Sequence, residues 1–518
     1  MSSMLDEVLE GFEPSPELVS VMAGSKTAAV LAVDIGSSGV RASLFDERGG
    51  EIDGASVRIQ RTLTEIDDLT VTDAEAGFEL VTQAIDALFD RPHQTGAEIH
   101  LIAISCFWHS LLGVDAQGLA TTPVFGWADT RAATSVKELR DRFDEKAVHA
   151  RTGCRFHTSY WPAKLLWLRS AHPQAVAATS RWLSFGEYVV QRLSGETAAS
   201  ISMASGTGLF NQRLLEWDRE LLEPLGISDK SLPEISSTGQ GSRHLKAEYS
   251  ARWPGLNEAR ICPSIGDGAA NTIGSGCTTR EQAALMIGTS GAMRVVYEGE
   301  PPAELPAALW CYRADSKRVI VGGALSDGGG LHRWIKELLL PNDNSESIEA
   351  ALELLEPDAH GLTVLPFWAG ERSTGWSTEA HGAILGITLR TQPIEILRAV
   401  IEAIAYRFAL IAKALEHLAP GATIIASGTA LRSSPVWTQI IADVFGRSVT
   451  LSEPSEASVR GAALLALEAA GKIQSIAGLP VRVGRTFEPN MSRHLKYQEG
   501  LKRQQVIYES VIESLKLS

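Results

Sequence analysis

The sequence is short of positive charge, of paired cysteines and of long apolar runs, and each shortage removes a class of function. Lys plus Arg number 47 against 62 Asp plus Glu, a net charge of −15 at pH 7 over 518 residues. A surface for DNA or anionic lipid wants a basic stripe, so neither nucleic acid nor a membrane is expected as a partner. Phosphates stay within reach, because backbone N–H groups, helix N-termini and Mg²⁺ bind them without bulk charge. The five cysteines, Cys106, Cys154, Cys262, Cys277 and Cys311, form no C-x-x-C pair and sit among apolar or small neighbours. That pattern predicts reduced thiols, a cytoplasmic setting and no cysteine-held metal. No segment approaches the roughly 18 consecutive apolar residues of a membrane span. Residues 1–27 are acidic with a single Lys26, unlike the basic start of a signal peptide, and read as an N-terminal extension.

What is present is ordinary globular composition, 44 % hydrophobic and 21 % charged, in a chain long enough for several domains. The apolar run Ala28–Ile35 has strand length and ends in Gly36-Ser37-Ser38-Gly39, after which Val40–Phe45 reads as a second strand. A similar unit follows much later. Ala283–Ile287 leads into Gly288-Thr289-Ser290-Gly291 and a strand over Ala292–Tyr297. Setting Gly36 on Gly288 aligns Ile-Gly-Ser-Ser-Gly with Ile-Gly-Thr-Ser-Gly. This predicts two similar domains, each offering a Gly/Ser/Thr hairpin to a shared cleft. Asp34 precedes the first turn where Met286 fills the matching slot of the second. One hairpin therefore suits a cation as well as phosphate, the other phosphate alone. Strands are also expected over 99–105, 318–323 and 422–426, and helices over 163–170, 331–340, 393–418 and 434–445.

Small residues in both hairpins leave backbone N–H groups bare for phosphate oxygens. Asp267, between Gly266 and Gly268, sits on a turn ahead of a small-residue stretch. It is placed to accept a proton from a substrate hydroxyl, although Asp-Gly is also an ordinary turn or helix cap. Trp108-His109 and Trp127-Ala128-Asp129-Thr130-Arg131 end apolar runs with aromatic and polar groups. Such a set suits a polyol, rings against carbon and polar tips on hydroxyls; a structural Asp–Arg pair is the alternative reading.

Together these segments resemble the FGGY carbohydrate kinases of the actin, sugar kinase and heat-shock ATPase superfamily. The likeness runs in order through Asp34–Arg41, Trp127–Arg131, Gly266–Gly268, Gly288–Ser290, Val321–Gly323 with Trp334, and Gly370-Glu371-Arg372 with Trp376. It ends with Ser427–Ser433, Glu456-Ala457-Ser458 and Gly461-Ala462-Ala463. Within the family the pattern is most similar to that of gluconate kinases, through His109-Ser110-Leu111, His157, Ala163–Leu168 and Ala204–Phe210. Trp108 stands where the family usually has Met, Phe156–Pro162 is unusually aromatic, and Thr429 replaces a Gly.

The resemblance implies an α/β fold with two ribonuclease-H-like domains flanking a central cleft. Residues 28–280 would form the sugar-binding domain, 281–480 the ATP-binding domain, and 481–518 a strand and helix tail. It further implies Asp267 as general base, Asp34 as organiser of Mg²⁺, and ATP contacts from Gly36, Ser37, Ser38, Arg41, Gly288, Thr289 and Ser290. Gly328, Trp334, Gly428, Thr429 and Ala430 would complete the nucleotide site. Trp108, His109, Asp129, Arg131, His157, Lys164, Gly268 and Arg372 would meet the sugar, with Lys164, Arg131 and Arg372 as cations for an acidic substrate. The expected reaction is ATP-dependent phosphorylation of D-gluconate. A ketose or polyol kinase, such as one for xylulose, is the alternative, and a catalytically silent nucleotide sensor a remote one. A homodimer is compatible with the sequence.

Overall fold

The computed structural model describes residues 29–61, 71–90, 98–236, 244–453 and 456–515; the extension 1–27 lies outside them. Two mixed sheets organise the chain. In the first, the order is Arg260–Ile261, Ile99–Cys106, Ala29–Gly36, Gly39–Phe45, Glu51–Gln60, with Ile265–Gly266 also paired to Ile99–Cys106. Ala29–Gly36 runs antiparallel to Gly39–Phe45 and parallel to Ile99–Cys106. It is buried at every position but the last, as a strand covered on both faces must be.

The second sheet repeats the scheme. Gln282–Ile287 runs antiparallel to Gly291–Glu298 and parallel to Thr423–Ser427. Asp34 lies beside Ser105 in the first sheet, and Met286 beside Ser427 in the second, so the internal repeat read from the hairpins is a repeat of register. The expected helix over 393–418 forms as Pro393–Leu415. Pro393 occupies its first turn, and the Glu395 side chain accepts the Gln392 N–H at 2.8 Å. Its buried face, Val400, Ile404, Phe408 and Ile411, packs into the core of the second sheet.

One helix crosses the domain division expected from sequence. Helix Ala457–Ala469 follows strand Val449–Ser452 of the second sheet, yet its apolar face packs on the first. Val459, Ala462, Ala463 and Ala466 cluster with Val30, Ala32, Leu101 and Ala103. It also crosses helix Asp267–Gly274 at backbone contact. A Cβ on Gly274 would fall 1.7 Å from the Ala457 carbonyl oxygen, and one on Gly461 1.8 Å from that of Ala270. The strand and helix of the C-terminal tail pack onto the second domain. Val483–Phe487 pairs with Val449–Ser452 at the edge of the second sheet, and helix Met491–Leu515 buries Tyr497 completely.

The opposite edge of that sheet is sutured to the first domain. Cys311, on strand Trp310–Arg313, donates its N–H to the Gly153 carbonyl at 2.9 Å. The buried Arg313 Nε donates to the Gln212 carbonyl at 2.9 Å. This suture places Trp310 and Tyr312 against residues of the first sheet.

Candidate active site

Asp267 opens helix Asp267–Gly274 directly after strand Ile265–Gly266, so the first sheet's edge aims it into the cleft. Its Oδ1 accepts the Gly268 N–H at 2.7 Å, and the Trp108 backbone N–H also bonds the carboxylate. Burial pushes its pKa up to about 6 from the usual 3.8, with Arg294 opposing and Asp34 adding to the rise. A carboxylate poised near neutrality can take a proton and give it up again, which a general base requires.

The cavity in front of Asp267 is an aromatic cage. Trp108, Trp127, Tyr160, Trp310, Tyr312 and Trp376 line it together with His109, Arg294 and Arg372. Trp310 and Tyr312 stack at 4.2 Å, and the Tyr160 and Tyr312 hydroxyls meet at 2.5 Å across the two domains. The Trp108 indole lies on a bed of three glycines. A Cβ would approach it to 2.6 Å from Gly206, 1.9 Å from Gly266 and 2.6 Å from Gly268. Its Nε1–H donates to the Ser202 carbonyl at 2.9 Å. His109 adopts φ 68° and bonds the Gly206 carbonyl through Nδ1 at 2.6 Å. Since a carbonyl only accepts, Nδ1 carries the proton and Nε2 is an acceptor. Burial pulls the His109 pKa down to about 3, so the ring is neutral.

Two cations enter this cage. Arg294, on strand Gly291–Glu298, is 7 % exposed, and its Nε and Nη1 have no hydrogen-bond partner. Arg372 is 8 % exposed; it lies 4.5 Å over Trp127 and donates Nη2 to the Leu325 carbonyl at 2.9 Å, while Nε has no partner. Burial lowers both guanidinium pKa values, and Asp267 counters it. The loop bearing Arg372 is clamped from several sides. Glu371 accepts from Arg407 at 2.6 Å and from the Tyr508 hydroxyl at 2.7 Å, and Arg140 donates to the Trp376 carbonyl at 2.9 Å.

Beside the cage are the two hairpins. Gly39, at φ 152°, has the Ile59 carbonyl where a Cβ would lie at 2.4 Å, so only glycine closes this turn without displacing the next strand. In the second hairpin, Gly329 donates its N–H to the Gly288 carbonyl at 2.7 Å and Gly330 to that of Thr289 at 2.9 Å. A Cβ on Gly328 would come within 2.9 Å of Ser290. Gly428, at φ 100°, backs onto the Ile287 carbonyl, and Ala430 reaches Gly329. The two N–H bonds spend the Gly329 and Gly330 donors on the hairpin, and what results is a tightly joined surface free of large side chains, fit for the close approach of a polyphosphate. Asp34 is buried; its Oδ1 accepts from Ser105 and its Oδ2 from Arg41, each at 2.8 Å. Burial raises its pKa and Arg41 opposes. Each oxygen keeps a second lone pair, so this donor set fits a Mg²⁺-bound water better than direct ligation.

The comparisons with known proteins agree with this geometry. Residues 29–274 match the FGGY family of carbohydrate kinases, N-terminal domain, and residues 283–470 match its C-terminal domain. The chain belongs to the FGGY family of carbohydrate kinases. A gluconokinase of Bacillus subtilis (strain 168) is 27 % identical over 494 residues, covering 92 % of this chain and 93 % of that protein. A xylulose kinase of Staphylococcus xylosus is 24 % identical over 440 residues, covering 85 % and 90 %. Among solved structures, a gluconate kinase from Lactobacillus acidophilus superposes with TM-score 0.85 at 27 % identity, covering 95 % of this chain and all of that one. A ligand-bound xylulose kinase from the same organism gives 0.84 at 27 %, covering 95 % and 100 %.

Within this FGGY kinase, four of the residues expected at the sugar lie outside the lining of the cage. Arg131 forms a two-point pair with Asp129, Nε to Oδ1 at 2.9 Å and Nη2 to Oδ2 at 2.6 Å, and lies 4.7 Å over Trp167; neither residue lines the cage. Lys164 is fully buried and donates Nζ to the His109 and Ser159 carbonyls, each at 2.8 Å, so it holds backbone instead of substrate. His157 accepts the Ser159 N–H at Nδ1 and donates Nε2–H to the Glu371 carbonyl at 3.0 Å, which spends both nitrogens. Of the aromatic run Phe156–Pro162, Ser159 and Tyr160 line the cage; Trp161 is core. On the nucleotide side, Trp334 is half-exposed with its ring 6.3 Å from Trp368, and Thr429 begins the short helix Thr429–Ser433. Sequence reasoning missed Arg294, whose signal was a lone charge in the apolar strand Ala292–Tyr297. It also passed over Trp310, which carries no local signal.

Proposed function

We propose that this kinase phosphorylates the terminal hydroxyl of an open-chain sugar acid, D-gluconate to 6-phosphogluconate. The observation that supports it is the pair Arg294 and Arg372, two buried guanidinium groups with unpartnered nitrogens lining the cage that holds Asp267. Buried guanidinium N–H groups without acceptors are costly, and a carboxylate-bearing substrate relieves that cost more fully than a neutral ketose. Stacked rings suit an extended carbon chain.

In this reading the rings fix the chain, and His109 Nε2 accepts a substrate hydroxyl. Asp267 takes the proton of the terminal hydroxyl as its oxygen attacks. ATP with Mg²⁺ supplies the γ-phosphoryl group and ADP is the leaving group. The glycine cradle positions the phosphates in line, which is most of what phosphoryl transfer asks of a protein.

The comparison structures keep a second reading alive, a xylulose kinase, since both types superpose equally well. ADP release with gluconate, xylulose, xylitol and glycerol at fixed ATP decides between them. The highest kcat/KM is expected for gluconate; a higher value for xylulose overturns the assignment. No turnover with any sugar would favour the sensor.

A further inference from the structure

Arg41 sits between two carboxylates from different parts of the molecule. Its Nη1 donates to Asp34 Oδ2 at 2.8 Å, and its Nε lies 2.8 Å from Glu456 Oε2. Asp34 belongs to the first strand, directly opposite Arg41 in the hairpin register. Glu456 immediately precedes helix Ala457–Ala469, which enters from the second sheet. The wall that brings it is tied to the segment Thr429–Ser433, because Arg432 donates to the Ser452 carbonyl at the end of strand Val449–Ser452. Glu456 thus joins the nucleotide side of the cleft to the first hairpin through one guanidinium.

The arrangement has a direct electrostatic consequence. A polyphosphate entering the first hairpin would compete with Asp34 for Arg41. An arginine anchored by Asp34 alone would lose its only fixed partner at that moment. The Glu456 carboxylate, an ionic partner 2.8 Å from Nε but outside hydrogen-bond alignment, stays beside the guanidinium when its Nη atoms exchange Asp34 for phosphate. A pre-organised guanidinium forfeits less freedom for each bond it forms.

We propose that Glu456 is a positioning residue that holds Arg41 while its Nη atoms pass from Asp34 to the nucleotide phosphates. Glu456 touches neither substrate, and the idea stands whichever sugar the enzyme uses.

The test uses the full chain with Glu456→Gln and Glu456→Asp. Calorimetric titration with the Mg²⁺ complex of adenylyl imidodiphosphate, a non-hydrolysable ATP analogue, reads the nucleotide site directly. Glu456→Gln is expected to weaken that binding tenfold or more and to raise the KM for ATP in step, with kcat within threefold and sugar binding unchanged. Glu456→Asp, which keeps the charge, is expected to return the affinity to within threefold of wild type. Analogue binding by Glu456→Gln equal to wild type overturns the proposal, as does an equal loss in sugar affinity. If Glu456→Gln melts early, the Asp variant decides: near-normal affinity supports the role, and affinity as poor as that of Gln refutes it.

Discussion

Replacing Asp267 by Asn separates what the carboxylate does for chemistry from what it costs the fold. Asn keeps the shape and can accept the Gly268 and Trp108 N–H bonds, but it carries no charge and takes no proton. The rise from 3.8 to about 6 means the folded protein disfavours the ionised carboxylate. At about 1.4 kcal/mol per pKa unit, that is on the order of 3 kcal/mol, an upper bound because Asp267 keeps some solvent contact at the cavity mouth. The sign follows from linkage. With the folded pKa above the unfolded one, this group's contribution is fully present below about 3.8 and is lost as pH rises through about 6. Asp267→Asn escapes that loss, so it should melt above wild type at pH 8, with the gap closing by pH 4. Turnover should meanwhile fall by about 10² to 10⁴. Scanning calorimetry at both pH values and an ADP-release assay read the two effects. A variant that melts at or below wild type at pH 8, or keeps more than a tenth of its turnover, refutes the reasoning.

In wild type, kcat/KM should fall as pH drops below about 6, following the protonation of Asp267; a pH-rate profile flat down to pH 5 would exclude it as the base. Arg294→Met should raise the KM for gluconate by roughly 10- to 100-fold and that for xylitol by under threefold, since only the former carries a charge to lose. Equal effects on both would mean Arg294 is structural. Gly266→Ala forces a Cβ into the Trp108 indole, which should destabilise by about 1–3 kcal/mol, while Trp108→Met in the same chain should restore part of the loss. Urea unfolding of the single and double variants tests this, and strict additivity would argue against the contact. Truncation after residue 480 should abolish folding, because it strips the edge of Val449–Ser452 and removes Tyr508 from Glu371; an active truncated enzyme would contradict the packing.

Much of this architecture was legible because its signals are local. The Gly36–Gly39 and Gly288–Gly291 turns, flanked by apolar runs, announce two hairpins and with them the duplicated sheet. Asp267 between two glycines marks the start of a helix at a strand end. What stayed hidden depends on contacts distant in sequence. Nothing near Lys164 or His157 shows that carbonyls of other segments take up their polar atoms. The cage residues Trp310 and Tyr312 reach the cavity because the Cys311–Gly153 suture ties strand Trp310–Arg313 to the C-cap of helix Glu145–Thr152. Helix Ala457–Ala469 looks by sequence like part of the second domain; its alanine-rich face, small enough to lie flat on the first sheet, is a weak hint of the crossing.

At that crossing, two helices touch through main chain at two points one turn apart, Ala270 against Gly461 and Gly274 against Ala457. Arg460, from the crossing helix, donates Nη1 to the Gly274 carbonyl at 2.7 Å and pins the pair. Two points of backbone contact fix direction as well as position. Asp267, at the start of the eight-residue helix, is therefore rigidly mounted on an element that enters from the second sheet. Any shift of that element is handed to the carboxylate without slack, because close-packed main chain has nothing to give.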